Sequence, residues 1–260
     1  MSFLDAVLLF LAAAGGGALN SVAGGGSFFS FPMLLFLGVP PITANATSTV
    51  ALWPGSLAST GAYRRELRQA RTRLVPLSII SVIGGYAGAQ ILLHTPESTF
   101  EGLIPWLLLT ATLVFAFGSP MLARLRARRR GAGREESGGS EGLFTVVGIV
   151  LQLVIATYGG FFGGGIGILM LAALTLAGME DVHVMNGLKN WLAVCINGVA
   201  VFAFVVAGAV WWAHAAVMIA GAVAGGYGGA ATARRLDPLL VRRFVIFVGF
   251  GLTIYFFIWG

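Results

Sequence analysis

Ten apolar stretches, each bounded by charge, proline or glycine, run through this chain at roughly residues 3–23, 27–37, 45–62, 74–93, 102–121, 143–160, 166–177, 184–207, 211–231 and 244–259. Eight of them are long enough to cross a bilayer unaided. The second and seventh are short: at about 1.5 Å per residue they cover half the hydrocarbon thickness. A soluble globule needs about a quarter of its residues charged to cover its surface, and here only 10% are charged while 57% are hydrophobic. The chain therefore belongs in lipid, and soluble enzyme classes are excluded. The expected fold is an all-α polytopic membrane protein. Residues 3–23 end in small residues like a secretory leader, but they lack a basic start and carry Asp5, so they are read as structure.

Charge is confined as sharply as hydrophobicity. All fifteen arginines fall in three places: Arg64, Arg65, Arg68, Arg71 and Arg73; Arg124, Arg126, Arg128, Arg129, Arg130 and Arg134; Arg234, Arg235, Arg242 and Arg243. The net charge of +6 sits between apolar runs, which fits membrane orientation and not nucleic acid. The positive-inside rule assigns all three clusters to the cytoplasm. Trp106, Trp211, Trp212 and Trp259 are then expected near the opposite interface, together with both chain termini. The Arg-, Gly-, Ser- and Glu-rich segment from Arg124 to Glu141 reads as a mobile loop.

The chain also repeats itself. Gly84-Gly85-Tyr86-Ala87-Gly88-Ala89 returns as Gly225-Gly226-Tyr227-Gly228-Gly229-Ala230, Gly24-Gly25-Gly26 as Gly163-Gly164-Gly165, and Asn45 as Asn186. The loop after the third segment is basic where its counterpart after the eighth is uncharged, and the loops after the fourth and ninth show the reverse. The halves are therefore expected to be inverted, residues 1–121 forming the first membrane repeat, 122–142 a cytoplasmic basic loop and 143–260 the second repeat. Inversion requires an odd number of crossings per half, so the short segments should cross as broken, glycine-led half-helices. Such architecture is typical of secondary transporters, with substrate held near mid-depth between the repeats.

Lys189 is the only lysine and the only base outside the three clusters. It is either an anion-binding charge or a side chain whose stem snorkels to the cytoplasmic interface, about 9 Å away at helical rise. Asn186, Asn190 and Asn197 lie around it, and the matching first-half region reads Asn45-Ala46-Thr47-Ser48-Thr49. These side chains donate to oxyanions, and equally they glue membrane helices together. Matched positions in both halves favour the ligand reading for Asn45 and Asn186. The runs Gly24-Gly25-Gly26-Ser27 and Gly163-Gly164-Gly165 stand before the two short segments, where bare N–H groups attract anions. Among 38 glycines, most serve close helix packing, and only these two runs are candidates.

Other chemistry is thinly provided for. Asp5, Glu97, Glu101, Glu180, Asp181 and Asp237 are terminal or in loops, so a carboxylate relay is unsupported. His183 and His214 read as interfacial residues. The single cysteine, Cys195, excludes a disulfide framework, a Cys-based zinc site and an iron-sulfur cluster. No H-E-x-x-H, G-x-S-x-G or nucleotide-binding G-x-x-x-x-G-K occurs. Neither an enzyme, an ATP-driven pump nor a cofactor is expected.

At Leu19-Asn20-Ser21-Val22-Ala23-Gly24-Gly25-Gly26-Ser27, followed by Gly38-Val39-Pro40-Pro41 and Asn45-Ala46-Thr47, the chain resembles the sulfite exporter TauE/SafE family. Trp53-Pro54-Gly55-Ser56-Leu57-Ala58, Tyr158-Gly159-Gly160-Phe161-Phe162-Gly163 and Asn186-Gly187-Leu188-Lys189-Asn190 extend the likeness over nearly the whole chain. The resemblance implies a multi-pass permease of a prokaryotic inner membrane that moves small sulfur-containing anions, usually outward. Members are often counted as having eight spans, against the ten segments here. Asn20, Ser27, Asn45, Thr47, Asn186, Lys189 and Asn190 match the motifs. Together with Ser48, Gly25, Gly26, Gly164 and Gly165 they form the expected substrate site. The expected partners are a small anion, the lipid bilayer and, through small-residue faces, a second copy in a homodimer. A membrane-embedded scaffold subunit and an anion channel are the alternative readings.

Overall fold

A computed structural model describes residues 1–22, 25–60, 63–131, 141–179, 181–233 and 238–259. Gly24, Arg134, Glu180, Arg234, Arg235 and Asp237 lie outside the described residues. Within them the chain forms eleven helices and no strand: α1 (Phe3–Val22), α2 (Ser27–Phe36), α3 (Pro41–Thr60), α4 (Arg64–Gln69), α5 (Arg71–His94), α6 (Glu97–Gly131), α7 (Glu141–Phe161), α8 (Ile166–Leu176), α9 (Val182–Val206), α10 (Trp212–Ala233) and α11 (Pro238–Trp259). Ten of these coincide with the apolar stretches. By length and composition, α1, α5, α6, α9 and α11 are each able to cross a membrane. The chain is thus an all-helical polytopic membrane protein.

Helix boundaries follow local chemistry. Ser2 and Asp5 form a reciprocal cap at α1, the Ser2 N–H donating to Asp5 Oδ2 at 2.6 Å and the Asp5 N–H to Ser2 Oγ at 3.1 Å. Asp181 caps α9, accepting from the N–H groups of His183 and Val184. At α3, Pro41 takes the first position and the next N–H, of Ile42, is satisfied by Glu97 Oε1 at 2.9 Å. The two short helices end alike: Gly38 (φ +75°) and Gly178 (φ +84°) are left-handed, and the N–H groups of Val39 and Met179 turn back to the carbonyls of Leu34 and Leu174.

Two expectations about the basic segments require correction. The region expected to be a loop over 122–142 is helical as far as Gly131, because leucine, alanine and arginine favour helix and nothing in that stretch breaks it. At 35 residues α6 is about 52 Å long, so its arginine-bearing end outruns the hydrocarbon. The first cluster, too charged to register as an apolar stretch, begins as the short helix α4, which packs on α9; Glu66 of α4 and Tyr63 just before it lie against Gly187.

The close helix pairs are α1 with α10 and α5 with α7. The repeated glycine motif makes both. A β-carbon at Gly225 would overlap the Ala14 carbonyl and one at Gly221 that of Phe10, while one at Gly88 would overlap the Thr157 carbonyl and one at Gly160 that of Gly85. In both pairs residue numbers ascend together, so each pair is parallel. Farther out, α2 lies on α11 and α8 on α6; α3 packs on α9 and α10, and α5 on α9.

Contacts also sort the loops by end. At one end Arg73 donates to the Ala177 carbonyl at 3.4 Å, and Glu66 touches Gly187. At the other, Ile42 meets Glu97, the Trp211 N–H donates to Thr47 Oγ1 at 3.1 Å, Phe36 meets Tyr255 and Phe256, and Trp106 meets Phe257. Trp106, Trp211, Trp212 and Trp259 are all exposed at this second end, away from α4, as the belt expectation requires.

Candidate functional site

The two glycine runs produce two sharp junctions. At the first, Gly25 (φ +99°) turns the chain between α1 and α2, and the Gly26 N–H donates to Asn20 Oδ1 at 2.8 Å. Buried Ser30 donates to the Gly26 carbonyl at 3.2 Å and meets buried Ser48 at 2.7 Å between hydroxyl oxygens. At the second junction Gly163 (φ +83°) and Gly165 (φ +77°) are both left-handed, a conformation that costs L side chains about 1–2 kcal/mol. Tyr158 Oη donates to the Gly164 carbonyl at 2.8 Å. Asn45, only 3% exposed, donates from Nδ2 to the carbonyl of Phe161 at 3.0 Å, one of the acceptors that the end of α7 leaves without a helical partner. One polar face of α3 therefore reaches both junctions.

The starts of α2 and α8 converge. Ser27, Phe28, Leu108, Ala111, Phe162 and Gly164 line one small cleft. Gly25 sits against Phe115 and Gly165 against Val114 and the Ala111 carbonyl, within two turns of α6. Ala111 is fourteen residues from the start of α6, about 21 Å along the helix, so the cleft lies near the middle of the bundle's depth. Phenylalanines close around it: Phe28 meets Phe115 at 6.2 Å and Phe31 meets Phe162 at 5.6 Å, both edge-on.

Lys189 approaches the first turn of α8 from α9. Its stem passes Gly167, the second residue of α8; a β-carbon there would stand 3.4 Å from Lys189 Cδ and 3.9 Å from Cε. Asn186, Lys189 and Asn190 are at i, i+3 and i+4, on one half-buried helix face. Among the described residues none of the three has a hydrogen-bond or ion-pair partner. No side chain caps α8, whose first-turn N–H groups carry the positive end of the helix dipole.

The expected site residues thus separate. Ser27, Gly164, Gly165 and Lys189 are brought together around the first turn of α8, with Gly25 across α6 and Asn186 and Asn190 beside the lysine. Asn20, Gly26, Asn45 and Ser48 hold the junctions through bonds of their own. Thr47 is fully buried and spent on the Trp211 N–H at the bundle's end.

Two charged groups escaped the sequence reading. Glu66 has a buried Oε2 without a partner among the described residues. Arg242, one of the third arginine cluster, has a buried Nε that is equally unpartnered among the described residues. No pattern in the sequence separates Arg242 from Arg243 beside it, because burial depends on which face α11 turns to α6.

The profile of the family described as sulfite exporter TauE/SafE matches residues 9–256. The chain belongs to that family. It is 28% identical over 243 residues to a probable membrane transporter protein of Haemophilus influenzae, covering 90% of this chain and 88% of that one. To the probable membrane transporter protein ORF9 of a Sinorhizobium species it is 27% identical, over 98% of this chain and 93% of the other. With the probable membrane transporter protein YfcA of Escherichia coli K12 it shares 25% identity, over 93% and 85% of the two chains. No solved structure matches it. Membership of TauE/SafE, together with the apolar helices, makes this a multi-pass membrane protein of a transporter family.

Proposed function

We propose that this TauE/SafE protein is a secondary transporter that moves small sulfur-containing anions, such as sulfite or organosulfonates, outward across a prokaryotic inner membrane by alternating access between two inverted halves. The observation that carries this reading is the meeting of two glycine-led helix starts, at Ser27 and Gly164, on one cleft at mid-depth, with Lys189, which has no partner among the described residues, laid along the first turn of α8. Ser27 and Gly164 border a space lined otherwise by apolar side chains, and the Lys189 stem lies against Gly167 in the adjoining first turn of α8. That combination favours a compact anion over a cation or a bulky organic molecule. Asn186 and Asn190 supply further donors on the Lys189 face.

The helix pairs support the inverted repeat. Exchanging the halves carries α1 on α10 into α7 on α5, α2 on α11 into α8 on α6, and α3 on α10 into α9 on α5; α3 with α9 and α6 with α11 map onto themselves. Such a relation lets one half rock against the other around a fixed central site.

Sulfite and taurine-like sulfonate flux in proteoliposomes tests the reading, comparing the parent chain with Lys189→Ala. Loss of one charge-assisted contact is expected to weaken half-saturation about tenfold or more. Unchanged flux and affinity would remove Lys189 from the site. A parent chain that moves none of sulfite, sulfate, sulfonates or small carboxylates would leave the scaffold reading standing, and a conductance that does not saturate would make the protein a channel.

A further inference from the structure

Of the arginines whose side-chain burial is described, Arg242 alone is half-buried; Arg64, Arg65, Arg68, Arg71, Arg73, Arg124 and Arg243 are exposed. Its environment has a specific cause. Pro120, inside α6, has no N–H, so the carbonyl four residues earlier, that of Ala116, loses its helical donor. An Arg242 guanidinium nitrogen, Nη2, donates to that carbonyl. Filling the proline gap uses one arm of the fork. Among the described residues Nε–H remains buried with no acceptor, and a desolvated, unpaired donor on a cation is costly to keep.

The position of this donor relative to the cleft follows from the two helices that hold it. Ala116 lies five residues beyond the cleft residue Ala111 on α6, about 7–8 Å along the axis. On α11, Arg242 precedes by seven residues Gly249, whose position abuts Thr112 and the cleft residue Phe28; that is about 10 Å. Between the two levels Phe244 of α11 stacks on Phe29 of α2 at 6.0 Å. Arg242 therefore stands one to two turns from the cleft, toward the end of the bundle that carries the arginines.

We infer that Arg242 is a second anion contact, an antechamber on the arginine side where an oxyanion takes up the Nε–H before it passes to the cleft of Ser27, Gly164 and Lys189. This rests on the anion reading above. A guanidinium fork suits a tetrahedral or pyramidal oxyanion, which accepts through two oxygens. Arg242 thus has two roles, and they are separable: Nη2 serves the Ala116 carbonyl, Nε serves the ligand.

Pro120→Ala separates them, because it restores the N–H that Ala116 lacks and makes the structural role dispensable. The experiment measures stabilisation of the detergent-solubilised full chain against sulfite concentration. In the Pro120→Ala background, Arg242→Gln is expected to raise the half-saturating sulfite concentration about tenfold. Equal half-saturation with and without Arg242→Gln overturns the proposal. Arg242→Lys in the otherwise unaltered chain is the second arm; it keeps a charge and one donor for Ala116 but loses the fork. It is expected to weaken sulfite several-fold, and an unaltered value also overturns the proposal. A parent chain that sulfite fails to stabilise counts against the anion reading and takes this one with it, whereas a stabilised parent with insensitive variants counts against Arg242 alone.

Discussion

The junction between α1 and α2 and the junction between α7 and α8 are spelled with the same glycine run, yet they are finished differently. At the first, the chain's own side chains consume the backbone: Asn20 takes the Gly26 N–H, while Ser30, backed by Ser48, takes the Gly26 carbonyl. At the second, the carbonyl side is consumed by Asn45 and Tyr158, and the N–H side is left without a side-chain cap, beneath Lys189. Neither α2 nor α8 has its first-turn N–H groups capped by a side chain; the duplicated sequence has produced one closed junction, where a side chain holds the N–H of the last glycine before the helix, and one open junction, where no such bond occurs among the described residues. In an alternating-access account the second half supplies charge and donors, and the first supplies Ser27 and the frame.

The sharpest way to break that contrast is to deform the open junction. Gly165→Val forces a β-branched residue into φ +77° beside Val114. It is expected to cost about 3 kcal/mol and to abolish anion-dependent stabilisation, as read by thermal unfolding with and without sulfite; a variant that unfolds and binds like the parent would show that the left-handed cap is not needed. Next in size is Asn45→Ala, which leaves the Phe161 carbonyl buried and unpaired. A loss of about 2 kcal/mol is expected, with Asn45→Asp recovering little because a carboxylate has no N–H to give. The smallest effect belongs to the closed junction. Asn20→Ala removes one acceptor from a single N–H and is expected to lower stability by about 1 kcal/mol. That loss should register in the unfolding midpoint ahead of any change in sulfite half-saturation; a reversed ranking would put Asn20 on the ligand.

Much of the fold was legible because apolar runs in lipid leave few alternatives to helices. The ten stretches all became helices, and the two short ones emerged at 10 and 11 residues. Charged helices were less visible: α4 and the end of α6 carry arginines that mark a boundary for hydropathy but not for the backbone. The repeated Gly-Gly-Tyr motif was seen as a repeat, but its purpose, joining α1 to α10 and α5 to α7, depends on partners far away in the chain. The same limit governs the site. Lys189, Ser27 and Gly164 could be singled out by their rarity and place. Asn45 could not be assigned to the Phe161 carbonyl, 116 residues away, nor Arg242 to a gap opened by Pro120, because neither pairing leaves a local pattern.

Sidedness offers the most direct test of the inverted, two-junction account. Cys195 is the only cysteine, so its replacement by alanine gives a silent background for single cysteines at the exposed positions Arg68, Arg243 and Ser98. With a membrane-impermeant thiol reagent on intact cells and on inverted vesicles, Arg68→Cys and Arg243→Cys should both react from the cytoplasmic side and Ser98→Cys from the opposite side. Labelling of positions 68 and 243 from opposite faces of the membrane would contradict the account.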